Sequence, residues 1–190
     1  MVTFIIEASH LFRSGDKFQT QFFVVDVVNY LKRDFYDNTD DFHTVVLHGS
    51  TKDEQAERYT AALERFDVTV IRMRSIASIA GENKVYYKPT WYLHKMMGKE
   101  IPKGSDVMLV GFHNERYLTF LQKYHKDFNL SVAAFDTPSK KQGMMKIPST
   151  FEPYIKYAIK LDEHVAGIKR EFKHERKSSD HKRLGGDEDR

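Results

Sequence analysis

A chain of 190 residues, 41% hydrophobic and 13% aromatic, has enough apolar material for one core, and splitting it would leave two marginal halves. The absence of cysteine excludes a disulfide framework, thiolate catalysis and sulfur-ligated zinc. Charged residues make up 30% with a formal net charge of +3, so any binding to a polyanion must come from local clustering and not from bulk charge.

The opening MVTFIIEASHLF is apolar for only a few residues before Glu7 and has no basic leader. It reads as a strand over Val2 to Ile6, buried on both faces, and not as a signal peptide or membrane span. The lack of cysteine fits a reducing cytoplasm, the expected location. Ser9 to Lys17 reads as a polar turn. From Phe18 to Phe35 the apolar residues Phe22, Val25, Val28, Leu31 and Phe35 recur at steps of three and four and predict an amphipathic helix. Thr44 to Leu47 predicts a second strand, Asp53 to Phe66 a helix, and Val68 to Ile71 a third strand.

Lys84 to Met97 predicts a helix that tolerates Pro89 near its start, with Trp91, Leu93, Met96 and Met97 facing inward. Asp106 to Val110, preceded by the turn residues Pro102 to Ser105, is the clearest strand. A helix over Asn114 to Asp127 and a strand over Ser131 to Phe135 follow. Strands alternating with helices predict a three-layer α/β domain whose mainly parallel central sheet carries helices on both faces. Functional groups in such a domain gather beyond the carboxyl ends of the strands. Residues 136 to 150 read as a loop and Tyr154 to Leu161 as a last short element. The expected division is a domain over 1–165 and a charged tail over 166–190, too poor in apolar residues to fold alone.

No phosphate loop, dinucleotide fingerprint, nucleophile elbow or HExxH pair is present, so nucleotide-driven motors, dinucleotide enzymes, serine hydrolases and zincins lack their starting residues. In FIIEASHLF, Glu7 and His10 stand like the Asp and Asn of an apolar run into D-x-x-N, and Lys88-Pro-Thr-Trp-Tyr-Leu is similar to a K-G-x-D segment with Trp91 at the acid. Asp106 to Leu118 is similar to D-x-x-x-x-x-S-G-D-x-D-F-x, with Asn114 and Arg116 at two further acid positions. On these residues the chain resembles the NYN/PIN-like domains of the PIN superfamily from Val2 to about Leu161, with a degenerate acidic active site.

That resemblance implies an RNA-directed protein, with tRNA, ribosomal RNA or the ribosome as candidate targets and a phage or bacterial role in translation or RNA decay. The family cleaves RNA with Mg²⁺ or Mn²⁺ held by clustered carboxylates, hard ligands for hard cations. Here only Glu7 survives, and a guanidinium at Arg116 opposes a cation, so the expected protein binds RNA without a metal cofactor and without cleaving it. Candidate catalytic residues are Glu7, His10, Asn114 and Asp136, with His113 beside them. The simpler readings are a solvated strand-end acid for Glu7, loop caps for the histidines and a helix N-cap for Asn114.

Candidate nucleic-acid contacts are Arg72, Arg74, Lys84, Lys88 and Lys95, interleaved with Tyr86, Tyr87 and Trp91, because cations beside rings suit phosphates and unstacked bases. Those rings can equally serve the core. Arg116, the loop residues Lys140, Lys141 and Lys146, and the tail residues Lys169, Arg170, Lys173, Arg176 and Lys177 complete the set, against a reading of the tail as a solubilising end. The alternatives are a ribonuclease, Mg²⁺-dependent, whose site is rebuilt from Glu7, Asp106 or Asp136, and a protein-binding adaptor without RNA.

Overall fold

The computed structural model describes residues 1–18, 22–37, 41–49, 60–73, 76–77, 85–86, 88–139 and 143–168. β1 spans Val2–Glu7 and passes directly into α1, Ala8–Lys17, which is followed by α2, Val24–Phe35. β2 is Phe42–His48, residues 60–64 are helical, and β3 is Val68–Arg72. The two-residue strands β4, Ile76–Ala77, and β5, Val85–Tyr86, pair antiparallel before α3, Pro89–Lys99. β6, Asp106–Val110, leads through a 3-10 turn at Glu115–Tyr117 to α4, Leu118–Tyr124, and then to β7, Asn129–Ala134. A hairpin of β8, Thr137–Ser139, and β9, Gly143–Met145, precedes a 3-10 segment at Ser149–Tyr154. β10, Ala158–Lys160, and a last 3-10 turn at Leu161–His164 end the described fold near Ile168.

Six strands form one sheet in the order β10-β7-β6-β1-β2-β3, and every pair in it is parallel. Alternation along each strand divides the core. Val2, Phe4 and Ile6 of β1 and Met108 and Val110 of β6 face α1 and α2. Ile5, Val107 and Leu109 face α3 and α4 through Leu93, Met96, Phe120 and Leu121. Each such side chain contributes about 1.5–3 kcal/mol by leaving water, so truncating one that both strands and helix enclose, such as Leu109, costs roughly 2–5 kcal/mol. The chain runs outward from β1 in one direction to β2 and β3 and in the other to β6, β7 and β10. The crevice beyond the carboxyl ends of β1 and β6 therefore lies where the winding reverses, the place where such sheets bind ligands.

Several expectations need correction. Ser9 to Lys17 is helical, not a turn: Leu11 and Ser14 are buried, and Ser14 Oγ donates to the His10 carbonyl at 2.8 Å. The second helix starts at Val24 instead of Phe18, and its buried stripe is Val24, Val27, Val28 and Leu31. Lys84 to Lys88 is not helical where described, since Val85–Tyr86 is a strand and Pro89 opens α3. Trp91 is 60% exposed and not in the core, because two residues of helix turn it about 200° from Leu93. Residues 136 to 150 hold a hairpin as well as loop. The packed chain continues past 165, where Ile168 is 2% exposed and sits on the α1–α2 side. No helix among the described residues is long and apolar enough to cross a membrane.

Candidate functional site

Glu7 ends β1 and immediately precedes the first turn of α1, where unpaired backbone N–H groups favour negative charge. Glu7 as a residue is 8% exposed, and its Oε1 accepts the Ser9 hydroxyl at 3.0 Å. Across the switch point, Gly111 takes a left-handed φ of 92° just after β6. A Cβ there would stand 2.6 Å from the Cβ of His10, so only glycine lets this turn press against α1.

Asn114 Oδ1 accepts the Arg116 N–H at 3.0 Å and caps the 3-10 turn, which confirms the simpler reading of that residue. Arg116 lies over the Tyr117 ring, 4.9 Å from its centroid, and donates from Nη2 to the phenol oxygen at 2.8 Å. Burial and then Glu7 push the Tyr117 phenol up to about 12, while Arg116 and Arg13 pull it back. Glu7, Arg13, Arg116 and Tyr117 therefore share one electrostatic neighbourhood. Arg13 and Arg116 are both exposed, and among the described residues no carboxylate pairs with either. That leaves two cations beside a nearly buried acid, an arrangement with room for an anion.

Behind them lie two buried histidines with rings 4.8 Å apart, edge to face. His10 Nε2 accepts the Phe135 N–H at 3.0 Å, and its Nδ1 is buried with no hydrogen-bond partner. His113 bonds the Gly111 carbonyl through Nδ1 at 3.1 Å and the Thr137 hydroxyl through Nε2 at 3.2 Å. Both pKa values are lowered, His10 by burial, then by His113 and Arg13, and His113 mainly by burial against partial compensation from its Gly111 bond, Asp136 and Asp162. His10 is wholly buried and its acceptor nitrogen is taken, so it is not placed to remove a proton from a ligand, contrary to its candidacy as a base.

The remaining candidates scatter. Asp136 follows β7, and its N–H donates to Asp162 Oδ2 at 2.7 Å. Asp106 begins β6 at the opposite edge of the sheet, where it meets Lys156 at 3.7 Å, so it cannot join Glu7 in a rebuilt site. Among the described residues no group of three or more histidines and acids could hold a metal ion. Arg72 ends β3 and, after burial, is the cause that lowers the pKa of His48 at the end of β2. Lys88 is exposed just before α3, and Lys146 is exposed just after β9. Lys95 lies further along α3, where it meets Glu100 at 3.6 Å. Arg74, Lys84, Tyr87, Lys140, Lys141, Lys169, Arg170, Lys173, Arg176 and Lys177 lie outside the described residues, as does the side chain of Tyr86. Sequence reasoning missed Arg13, Tyr117 and Asp162. Arg13 stands three residues after His10, a spacing that matters only once the segment is known to be helical.

The fold defines a parallel α/β protein, with the residues above as a candidate site at its switch point. No family model matches the sequence, and a comparison with curated proteins gives no match. The crystal structure of a protein of unknown function from Vibrio parahaemolyticus is similar, with a TM-score of 0.55 and 10% identity over 84% of this chain and 92% of that one. At that identity the likeness is one of fold.

Proposed function

We propose that this chain binds RNA at the carboxyl-edge crevice without hydrolysing it, and that it acts in the cytoplasm by occupying its target. The observation that carries the reading is the pair of exposed guanidiniums, Arg13 and Arg116, that share the Tyr117 neighbourhood with Glu7 and have no carboxylate partner among the described residues. Guanidinium groups suit phosphate oxygens through paired N–H bonds, and their fixed charge disfavours the hard cation that metal-dependent cleavage needs.

Trp91 supports the same reading. Six residues separate the end of α3 at Lys99 from the start of β6 at Asp106, so α3 runs back along the sheet and its first turn points toward the carboxyl edge. Trp91, exposed and braced edge-on by Tyr92 at 4.8 Å, sits in that first turn beside Lys88. A strand held by its phosphates at the arginines can lay a base on such a ring, a contact worth about 1–3 kcal/mol and tolerant of sequence.

The test incubates the full chain with total RNA, with and without Mg²⁺, and follows retention and cleavage across salt. Retention that falls steeply with salt, without cleavage, is expected, since each phosphate contact releases counterions. Mg²⁺-dependent cleavage abolished by Glu7→Ala would establish a ribonuclease instead. Absence of retained RNA at low salt points to a protein-binding role.

A further inference from the structure

The two histidines are buried, and their hydrogen bonds fix where their protons lie. The Gly111 carbonyl needs a donor, so His113 carries its proton on Nδ1 and accepts the Thr137 hydroxyl on Nε2. The Phe135 N–H needs an acceptor, so His10 is bare on Nε2 and protonated on the partnerless Nδ1. Together these bonds tie α1 and the turn after β6 to the end of β7 and the hairpin that follows it.

We propose that His10 and His113 form an acid-sensitive lock that fastens the β8–β9 hairpin to the crevice, and that protonation of the pair releases it. The charged neighbours set the order. His113 faces Asp136 at the start of the hairpin and Asp162 in the last 3-10 turn, with Arg13 of α1 opposing them. Among the described residues the charged groups that act on His10 are His113 and Arg13, while Glu7 of β1 accepts from Ser9 and acts on Tyr117. His113 therefore takes the first proton, and the Thr137 hydroxyl turns to accept from the new Nε2–H. A proton on His10 then sets an N–H against the Phe135 N–H. Two facing donors cannot bond, and the buried amide loses its acceptor. The hairpin also touches the crevice through Met145, whose sulfur accepts from Asn114 Nδ2 at 3.5 Å, so its release alters the surroundings of Arg116.

Hydrogen exchange on the full chain tests this, with protection factors corrected for the pH dependence of exchange itself. Between about pH 7.5 and about pH 5, protection of the Phe135 amide is expected to fall at least about tenfold and to lie below that of Ile5 and Leu109, which follow global stability, as a local opening requires. His10→Gln, whose side-chain oxygen can stand in for Nε2 as the acceptor of the Phe135 N–H and takes no proton, is expected to keep Phe135 protected at the lower pH. Phe135 tracking Ile5 and Leu109 at every pH, or an undiminished acid loss in His10→Gln, overturns the lock. Should that variant not fold, the imidazole nitrogen shifts of the unmodified protein decide. His10 protonated on Nδ1 alone at neutral pH and on both nitrogens in acid supports it, and the opposite tautomer or a neutral His10 in acid overturns it.

Discussion

The two edges of the parallel sheet treat charge in opposite ways. At the amino edge Asp106 meets Lys156 at 3.7 Å and Lys103 meets Asp127 at 3.1 Å, pairs of opposite sign whose partners remain in water. At the carboxyl edge the acid Glu7 and two imidazoles are withdrawn from solvent, while Arg13 and Arg116 stand outside without carboxylate partners among the described residues. Exposed pairs of the first kind are worth at most about 1 kcal/mol and merely solvate an edge. Withdrawing an acid and two imidazoles from water carries a desolvation cost that the amino edge does not bear.

The largest effect expected is at the junction of β6 with α1. Gly111→Ala would add a Cβ 2.6 Å from His10 at a left-handed backbone position, combining steric overlap with an unfavourable φ. A loss of about 3 kcal/mol or more is expected in chemical denaturation. Gly167→Ala, 2.5 Å from the Tyr30 ring, would test the amino-acid packing of the chain's end against α2 without touching the crevice. A Gly111→Ala protein as stable as the parent would break the claim that the switch point is built on this contact.

Part of this was legible in the sequence. The strand at Asp106 to Val110 is read residue for residue, because its apolar β-rich run is bounded by a turn on one side and glycine on the other. The parallel α/β class followed from alternation alone. Glu7 and Arg116 were both singled out, and both reach the crevice. What was not legible depends on packing between distant segments. α1 is masked by Ser9, Ser14 and Gly15, poor helix formers whose helix is supported by contact with the sheet. The hairpin at 137–145 has strands of three residues, too short for periodicity to reveal. The bond between His10 and Phe135 joins positions 125 residues apart, and no local pattern announces it.

A pH-dependent effect comes next. His10, His113, His48 and His94 all have folded pKa values below the usual 6.5, with burial as the leading cause. Above that value both folded and unfolded chains are neutral at these sites and stability is unaffected. As pH falls below it the unfolded chain takes up protons that the folded chain refuses, so stability declines until the folded pKa is reached. The expected slope approaches about 1.4 kcal/mol per pH unit for each fully excluded histidine. Denaturation midpoints measured across that range check it, and a flat profile would show that the imidazoles charge freely in place.

Binding should separate the edges further. Trp91→Ala is expected to weaken RNA retention by about 5- to 150-fold, the equivalent of one lost stacking contact, with little change in melting because the ring is exposed. Arg116→Ala should cost affinity and also flatten the salt dependence by about 0.7 in logarithmic slope, one phosphate contact on a single strand. Equal affinity with an unchanged slope in both variants would remove the carboxyl edge from the interface.

The smallest effect is expected at the other edge, from Asp106→Asn. The residue shares the central strand β6 with the crevice, so its position along the sequence gives no hint that it is remote from Glu7. Parallel register settles the matter: Asp106 lies opposite Val2, at the start of β1, whereas Glu7 closes that strand. Five residues of strand at roughly 3.3 Å each separate them, beyond the reach of a shared ion or phosphate. Its partner Lys156 has a side chain 51% exposed, so loss of the pair should change stability by no more than about 1 kcal/mol. RNA retention should stay at the parent value, with the same salt slope. A strong fall in retention with unaltered melting would mean that the amino edge takes part in binding, and the contrast between the edges would then have to be drawn from solvation and not from function.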